Sequence, residues 1–188
     1  MAELLFSKRY SDQVARLRVP CGFVLAALFL LFSAPSGRSL AVGLAIAALG
    51  LALRGWAAGH LRKDSTLTTS GPYAFIRNPL YAGTLTAAMG LAIAANRVWL
   101  AVLFGAFFLL VYLPAIQLEQ QHLRDLFGAR FDRYANQVRM LIPRVPPLVS
   151  DRRFEWSLYK RNREYQALAG FTAGAAFLVA KWLWLGGG

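Results

Sequence analysis

Five long stretches of the sequence contain no Asp, Glu, Lys or Arg, and this feature leaves few architectures open to the chain. The stretches are Val19 to Gly37, Ser39 to Leu53, Asn78 to Asn96, Val98 to Leu118 and Tyr165 to Ala180. A helix of about 20 apolar residues crosses the hydrocarbon core of a bilayer. The two shortest stretches continue past Arg54 and Lys181, whose long side chains can reach the headgroups. The pattern predicts an all-α polytopic membrane protein with about five transmembrane helices.

The composition agrees with an integral membrane protein. Hydrophobic residues make up 57% of the chain and charged residues only 16%, against roughly 45–50% and about 25% in soluble domains. This wealth of aliphatic and aromatic residues also excludes a disordered chain. A single domain of residues 1–188 is expected, and its spans are predicted at residues 19–37, 39–59, 78–96, 98–118 and 165–185.

The first stretch has a second interpretation. Val19 to Phe32 could be the apolar part of a signal peptide, with Ala34 and Ser36 as a weak cleavage pattern. A first membrane helix is favoured, because removing the segment would leave four spans with a less regular charge bias. Cys21 lies within this span and is best explained as a small apolar side chain. No metal site is predicted.

Charge is distributed unevenly over the two sides of the predicted bundle. The chain has 21 Lys and Arg against nine Asp and Glu, a net charge of +12, which in a soluble protein would suggest a nucleic-acid surface. With the N-terminus in the cytoplasm, the outer side holds only Arg38, Arg97 and Lys181, and the other 18 cations and all nine carboxylates lie on the cytoplasmic side. The basic residues thus orient the helices and place the C-terminus outside. We expect membrane lipids as partners, and no nucleic acid.

Two cytoplasmic segments follow the second and fourth spans. Leu61 to Arg77 is rich in Ser, Thr, Gly and Pro and is typical of ordered turns. Glu119 to Val138 is predicted to continue the fourth span as a cytoplasmic C-terminal helical extension. Its apolar residues recur on one face, namely Leu123, Leu126, Phe127, Phe131, Tyr134 and Val138. The opposite face carries Arg124, Asp125, Asp132 and Arg133.

The next two segments differ in character. Arg139 to Val149 contains three prolines and is predicted to be extended rather than helical. Asp151 to Glu164 mixes five Lys and Arg with three aromatic residues, a composition that suits anionic lipid headgroups. The alternative is that these cations only fix the topology of the last helix, and the sequence leaves both interpretations open.

The third and fourth spans are predicted to form a tight antiparallel hairpin, because Asn96 and Arg97 alone join them. A rise of about 1.5 Å per residue then brings Asn78 and Glu119 back to nearly the same depth. A carboxylate that emerges from an apolar helix is costly without a partner or a ligand, which makes Glu119 a functional candidate. The alternative is that Glu119 pairs with Arg77 or lies in water at the helix end.

Short motifs around this hairpin occur in the order of a known family. They are Gly71-Pro72-Tyr73, Arg77-Asn78-Pro79-Leu80-Tyr81, Glu119-Gln120, Phe127-Gly128 and Ile142-Pro143. In these motifs the chain resembles the integral-membrane methyltransferases, the group of isoprenylcysteine carboxyl methyltransferases and phospholipid N-methyltransferases with many bacterial relatives. The resemblance runs from about Leu61 to Pro143, less than half of the chain, and rests on the order and spacing of the motifs.

The resemblance implies S-adenosylmethionine as cofactor, bound on the cytoplasmic side by residues 61–81 and 115–147. The implied cofactor contacts are Ser65, Thr66, Leu67, Thr68, Tyr73, Asn78, Pro79, Leu80, Tyr81 and Glu119. A carboxylate can hold the ammonium or hydroxyl groups of this cofactor, and tyrosine rings offer their faces to a sulfonium. The implied acceptor enters from the membrane and is a phospholipid amine, a prenylcysteine-like carboxylate or another hydrophobic small molecule.

The chain departs from the family pattern at three positions. Asn78 replaces the motif histidine, and Gln120 replaces the second glutamate, so one formal charge is lost. Ala115 stands where the isoprenylcysteine enzymes have an arginine for the substrate carboxylate, which argues against a prenylcysteine carboxylate as the acceptor. The remaining candidates for orienting the acceptor are Arg77, Gln120 and Arg124.

Two other functions stay open from the sequence. Sterol reductases look similar in the hairpin region, so a nicotinamide-dependent membrane reductase is one alternative, although the chain is short for their helix count. A noncatalytic membrane scaffold or binding protein is the other. An amine acceptor must lose a proton, and neither His60 nor His122 is clearly positioned to take it. Small-residue patterns at Gly55 to Gly59 and Gly170 to Gly174 fit helix packing or self-association.

Overall fold

The computed structural model describes residues 6–63, 65–148 and 152–186, and every regular element among them is helical. In chain order the elements are α1 Lys8–Phe32, α2 Gly37–Ala58, a 3₁₀ turn Gly71–Ala74, α3 Pro79–Ala94, α4 Val98–Phe107, a π-helical segment Phe108–Tyr112, α5 Leu113–Phe127, α6 Ala129–Gln137, α7 Trp156–Arg161 and α8 Tyr165–Trp184. The all-α polytopic class is confirmed, and each of the five apolar stretches is helical over most of its length.

The helices differ in length from the predicted spans. α2, α8 and the continuous helix Val98–Phe127 are long and apolar enough to cross a membrane by length and composition. The apolar part of α1, Val19–Phe32, and helix α3 are shorter. The predictions of 19–37 and 78–96 are therefore too long. One reason is that Ser36 caps the start of α2 by a capping box, so the chain changes direction before Gly37.

Glycines let α2 and α3 pack closely. A Cβ at Gly43 would lie 2.4 Å from the backbone nitrogen of Ala94, and a Cβ at Gly50 would lie 2.4 Å from that of Ala87. On α3, a Cβ at Gly83 or at Gly90 would likewise lie too close to atoms of α2. Small residues at a crossing allow the two backbones to touch. Helix α3 accordingly packs mainly on α2 rather than on α4.

The predicted turn between α3 and α4 is present, with Asn96 in the left-handed region at φ 55°. Ala95 also lies outside the helices, so the turn is one residue longer than predicted. The close helix approach does not use the predicted small-residue patterns. A Cβ at Gly170 or at Gly174 would meet no atom within 4 Å, and self-association through this face stays a prediction.

Lys181 of α8 completes the end of α1. Its ammonium donates to the carbonyls of Leu30 at 2.8 Å and Leu31 at 2.9 Å, and to the Ser33 hydroxyl at 3.3 Å. The last carbonyls of a helix have no partner within it, so a cation there satisfies them and matches the helix dipole. The predicted continuation of the last span past Lys181 is confirmed, since α8 runs to Trp184.

The predicted helix from Glu119 to Val138 is two helices. Gly128, with φ 50°, ends α5 and begins α6, and only glycine adopts this backbone conformation readily. Most of the predicted apolar face forms one cluster. Its members include Leu67, Leu123, Phe127, Phe131, Tyr134, Val138 and Leu148. Placing Leu126 on this face was wrong, because it is 46% exposed, and the cluster covers only the side of α5 that carries Leu123 and Phe127.

The extended stretch after α6 pairs with the motif segment before α3. Backbone N–H groups of Arg77, Asn78, Arg144 and Leu148 donate to the carbonyls of Arg139, Met140, Phe75 and Ala74 at 3.0, 3.2, 2.9 and 3.2 Å. The predicted extended run is confirmed as far as Leu148, whereas Val149 lies outside the described residues. This pairing ties the motif segment to the second half of the chain.

Candidate functional site

A cavity of about 610 Å³ lies where α2 ends and α3 begins. Its walls come from the end of α2, the loop that follows, the 3₁₀ turn, the first turns of α3, and α5 and α6. We call it the large cavity. Both residues that the hairpin was predicted to bring to one depth, Asn78 and Glu119, line it.

Nearly all predicted cofactor residues lie on this one wall. They are Thr66, Leu67, Thr68, Tyr73, Asn78, Pro79, Leu80, Tyr81 and Glu119. Ser65 is exposed, and its hydroxyl donates to the Arg62 carbonyl at 3.4 Å instead. Among the predicted substrate-orienting residues, Arg77 and Gln120 line the cavity. Arg124 does not line it and pairs with Asp132, with an Nε to Oδ1 distance of 2.7 Å.

The two residues that replace the motif His and Glu contact each other. Gln120 Nε2 donates to Asn78 Oδ1 at 3.1 Å, and Asn78 Nδ2 donates to the Met140 carbonyl at 3.4 Å. Gln120 Oε1 is buried and has no hydrogen-bond partner among the described residues. A buried acceptor without a donor costs about 1–3 kcal/mol. Gln120 can therefore accept a hydrogen bond from a bound molecule.

Two buried tyrosines keep their hydroxyl protons at neutral pH. Burial, and secondly the nearby Glu119 carboxylate, raises the pKa of Tyr73 above its ordinary value. Burial likewise raises the pKa of Tyr134, whose hydroxyl donates to the Tyr73 carbonyl at 2.7 Å. These phenols supply neutral aromatic surface and hydrogen-bond donors to the wall rather than phenolate charge.

Arg77 supplies positive charge to the wall. Its guanidinium carbon lies 6.0 Å from the centroid of the Phe131 ring. Burial lowers the pKa of Arg77, yet the ordinary pKa of a guanidinium is so high that the group stays protonated at neutral pH. Its Nε is buried and has no hydrogen-bond partner within the described part of the chain. It can donate to an anionic or carbonyl group of a ligand.

Arg54 belongs to the site although the sequence suggested only that it reaches the headgroups. Its Nε and Nη2 lie 2.5 Å and 3.0 Å from the two carboxylate oxygens of Glu164, just before α8. Its Nη1 donates to the Leu80 carbonyl at 3.3 Å and to the Thr84 hydroxyl. One guanidinium thus joins α2, α3 and the start of α8 beside the cavity.

The wall also includes an aromatic residue from the π-helical segment. Tyr112 lines the cavity, and its ring packs edge-on against that of Tyr81 with 6.1 Å between centroids. The segment is held from outside by Tyr10, whose hydroxyl donates to the Leu110 carbonyl at 2.9 Å. Such π segments often occur at functional sites, but nothing in the apolar sequence of this stretch signals one.

The two histidines occupy different places. His122 lines the large cavity. His60 is buried beside Ser70, with 3.2 Å between Nδ1 and Oγ, and lines a second cavity. Burial lowers the pKa of His60, and the Glu155 carboxylate opposes that shift.

Some wall residues were not predicted as contacts. Arg54, Thr84 and Tyr112 lie outside the predicted cofactor-binding segments, and Phe131 and Tyr134 lie inside the predicted segment 115–147 but were not named as contacts. Their only advance signals were the lone arginine near the end of an apolar stretch and the aromatic residues on the predicted face after Glu119.

Comparison with known proteins gives one family. Residues 37–130 match the family described as phospholipid methyltransferase. The nickel-cobalt-cadmium resistance protein NccN of Alcaligenes xylosoxydans xylosoxydans is 31% identical over 112 residues, 58% of this chain and 52% of that protein. The cobalt-zinc-cadmium resistance protein CzcN of Cupriavidus metallidurans is 33% identical over 135 residues, 68% of this chain and 62% of that protein.

A third relative carries an enzyme name. The protein-S-isoprenylcysteine O-methyltransferase of Schizosaccharomyces pombe is 24% identical over 144 residues, 74% of this chain and 61% of that protein. The chain thus spans between half and two thirds of the length of these three relatives. No solved structure matches the chain significantly.

Proposed function

The chain belongs to the phospholipid methyltransferase family, and from this membership we propose that it transfers a methyl group from S-adenosylmethionine to a lipophilic acceptor in the membrane. One observation carries the proposal. Nine of the residues that the family resemblance implies as cofactor contacts, separated by up to 53 positions between Thr66 and Glu119, lie on the wall of a single cavity.

The wall suits a ligand of this kind. The cavity volume of about 610 Å³ falls within the range of roughly 300–1,000 Å³ for small-molecule sites. Glu119 offers a carboxylate to an ammonium or to hydroxyl groups. The rings of Tyr73 and Tyr81 offer electron-rich faces to a sulfonium. Both kinds of partner occur in S-adenosylmethionine.

When bound, this cofactor supplies an electrophilic methyl group for an in-line displacement. The residues then have to orient the two reactants and exclude water. Arg77 and Gln120 can orient a polar group through Nε and Oε1, each of which is buried without a partner among the described residues. The Tyr81 and Tyr112 rings provide apolar wall beside them.

The acceptor is proposed as a lipid or another hydrophobic molecule that enters from the membrane. Ala115 is buried and small, so it offers no charge to a carboxylate. Arg77 is a wall residue that could replace the missing arginine. We further propose that the cavity faces the cytoplasm, because 18 of the 21 Lys and Arg fall on the side that contains the motifs.

Calorimetric titration of the purified protein in detergent tests the cofactor. S-adenosylmethionine and its demethylated product should bind, and reduced nicotinamide cofactor should not. Glu119→Ala and Tyr81→Ala should each weaken binding at least about tenfold, because a charge-assisted or aromatic contact is lost. Asp125→Ala, an exposed carboxylate on the same helix, and Tyr165→Ala, an exposed tyrosine, are the matched controls and should change affinity less than about twofold.

Each outcome is informative. If neither S-adenosylmethionine nor its demethylated product binds, the proposal is overturned. Tight binding of the reduced nicotinamide cofactor would instead indicate a reductase. Binding that is insensitive to both Glu119 and Tyr81 substitutions would move the site elsewhere. The acceptor is then identified by incubating the protein with labelled cofactor and total lipid extract, followed by mass spectrometry of the methylated product.

A further inference from the structure

A second cavity of about 400 Å³ lies on the other side of the end of α2. Among the described residues, none lines both this cavity and the large one. Its wall combines aromatic rings with two arginines, and the residues used below are Trp56, His60, Phe75, Arg152, Arg153 and Phe154. We call it the aromatic cavity. Methyl transfer as proposed above makes no use of it.

We propose that the aromatic cavity binds the phosphate headgroup of an anionic phospholipid. Arg152 and Arg153 are both exposed at its wall. Guanidinium groups bind phosphate through paired N–H donors and charge. Among the described residues, Arg152 Nη1 makes one long contact, with the Thr66 hydroxyl at 3.4 Å, and a guanidinium has five N–H donors with which to bind a ligand.

The acidic residues that the structure describes in this segment are paired with other arginines. Residues 152–164 contain two carboxylates, Glu155 and Glu164. Glu155 pairs with Arg62 at 2.5 Å, and Glu164 pairs with Arg54 at 2.5 Å. Both acids are therefore engaged by arginines from α2 and the loop after it, so the cations of residues 152–164 retain their net positive charge for an external anion.

The wall is held in place by the end of α2. A Cβ at Gly59 would lie 2.1 Å from the Phe154 ring, so only glycine permits this contact. The backbone N–H of Glu155 donates to the Gly59 carbonyl at 2.9 Å. Asn162 Nδ2 donates to the carbonyls of Ala58 at 2.9 Å and Leu61 at 3.0 Å, which satisfies the end of the helix. Arg152 and Arg153 therefore directly precede a segment that is fixed to the end of α2.

The depth of the cavity fits a lipid headgroup. Trp56 is 43% exposed and lies in the last turn of α2, a helix long enough to span a membrane. Trp156, two residues after Phe154, is 69% exposed. Tryptophan at the ends of membrane helices lies at headgroup level, with its ring in the apolar zone and its N–H in the polar zone. A phospholipid would match this change from polar to apolar surroundings, with its phosphate at Arg152 and Arg153 and its glycerol and chains against Trp56.

A continuous set of ring contacts forms the apolar part of the wall. Phe154 packs edge-on against His60 at 6.3 Å between centroids, His60 against Trp56 at 6.5 Å, and Trp56 against Phe75 at 6.1 Å. A soluble phosphate would use only the arginines, whereas a phospholipid would also cover these rings. Combined positive charge and exposed aromatic surface favour the lipid.

Native mass spectrometry of the full chain in detergent tests the site, with dioctanoyl phosphatidylglycerol as the probe. We expect saturable one-to-one binding, and at least about tenfold weaker binding by Arg152→Ala/Arg153→Ala, because two charges that contact the phosphate are removed. The matched control is Lys160→Ala/Arg161→Ala, two exposed cations of the same segment that lie outside the cavity wall. It should weaken binding less than about threefold at physiological salt, where distant charges are screened.

Two further probes separate the sources of phosphate. Dioctanoyl phosphatidylcholine, whose headgroup has no net charge, and glycerol phosphate, which has no chains, should each bind at least about tenfold more weakly than the probe. The single variant Arg153→Ala should show an intermediate loss and gives a result should the double variant fail to fold. Equal losses of lipid affinity in the two double variants would overturn the proposal, because they would show that the cations of the segment act only through their overall charge and not through a site. Equal binding of glycerol phosphate or of the uncharged lipid would also overturn the proposal.

Discussion

The ion pair between Arg54 and Glu164 should be a main determinant of stability. Two N···O contacts of 2.5 and 3.0 Å join these side chains, of which only 23% and 7% are exposed. Removing one partner of a buried pair leaves an uncompensated charge and costs about 3–5 kcal/mol. In Glu164→Ala the guanidinium keeps its contacts with the Leu80 carbonyl and the Thr84 hydroxyl. We therefore expect a loss near the lower limit, about 3 kcal/mol.

The chain contains a matched control for this prediction. Arg62 and Glu155 also lie 2.5 Å apart, but 41% and 42% of their side chains are exposed. Water screens such a pair, and exposed pairs contribute about 0–1 kcal/mol. Glu155→Ala should therefore cost less than about 1 kcal/mol. The two pairs share the same shortest N···O distance, and they differ in burial and in the second contact that Arg54 makes with Glu164.

Reversible unfolding in mixed detergent micelles, followed by circular dichroism, measures both free energies of unfolding. A double-mutant cycle with Arg54→Ala should give a coupling energy of about 1–3 kcal/mol for the buried pair. Equal losses for Glu164→Ala and Glu155→Ala, within about 0.5 kcal/mol, would refute the reasoning from burial. A Glu164→Ala protein that unfolds normally but binds cofactor more weakly would show that the pair acts on the cavity instead.

Two further predictions concern packing and pH. Gly50→Val should lower the free energy of unfolding by about 3 kcal/mol or prevent folding, because its Cβ would lie 2.4 Å from the α3 backbone. The control is Gly105→Ala, where a Cβ meets no atom within 4 Å. In the same unfolding assay this variant should be neutral or more stable by up to about 1 kcal/mol. Burial lowers the pKa of His60 in the folded chain, so the unfolded chain binds the proton more tightly and stability should fall as pH drops below 6.5. Thermal unfolding at a series of pH values should show this loss in the wild type and a smaller one in His60→Gln, and identical profiles would contradict it.

Much of the fold was predictable because its determinants are local in sequence. The lengths of the apolar stretches fix where helices form. The Gly71-Pro72 turn and Pro79 at the first position of α3 follow from backbone preferences of single residues. The motifs and the family resemblance that they carry predicted about half of the residues in the large cavity's wall.

The tertiary structure decided which of these elements meet. Arg54 and Glu164 are 110 positions apart. The sequence around each residue is compatible either with a headgroup contact or with an ion pair. The packing of α2 on α3 was likewise decided by the tertiary structure. Four of the chain's glycines allow the two backbones to approach closely, and their position in the sequence does not show which helix they face.

The sequence by itself determined the helical class, the membrane character and the motif residues, because hydropathy and backbone preference act over a few neighbouring residues. Only the tertiary structure separated Glu119 and Asn78, which face the large cavity, from Ser65 and Arg124, which do not. The direction of a side chain depends on the phase of its helix and on what packs against it. That phase is set by contacts between distant parts of the chain, which no local pattern encodes.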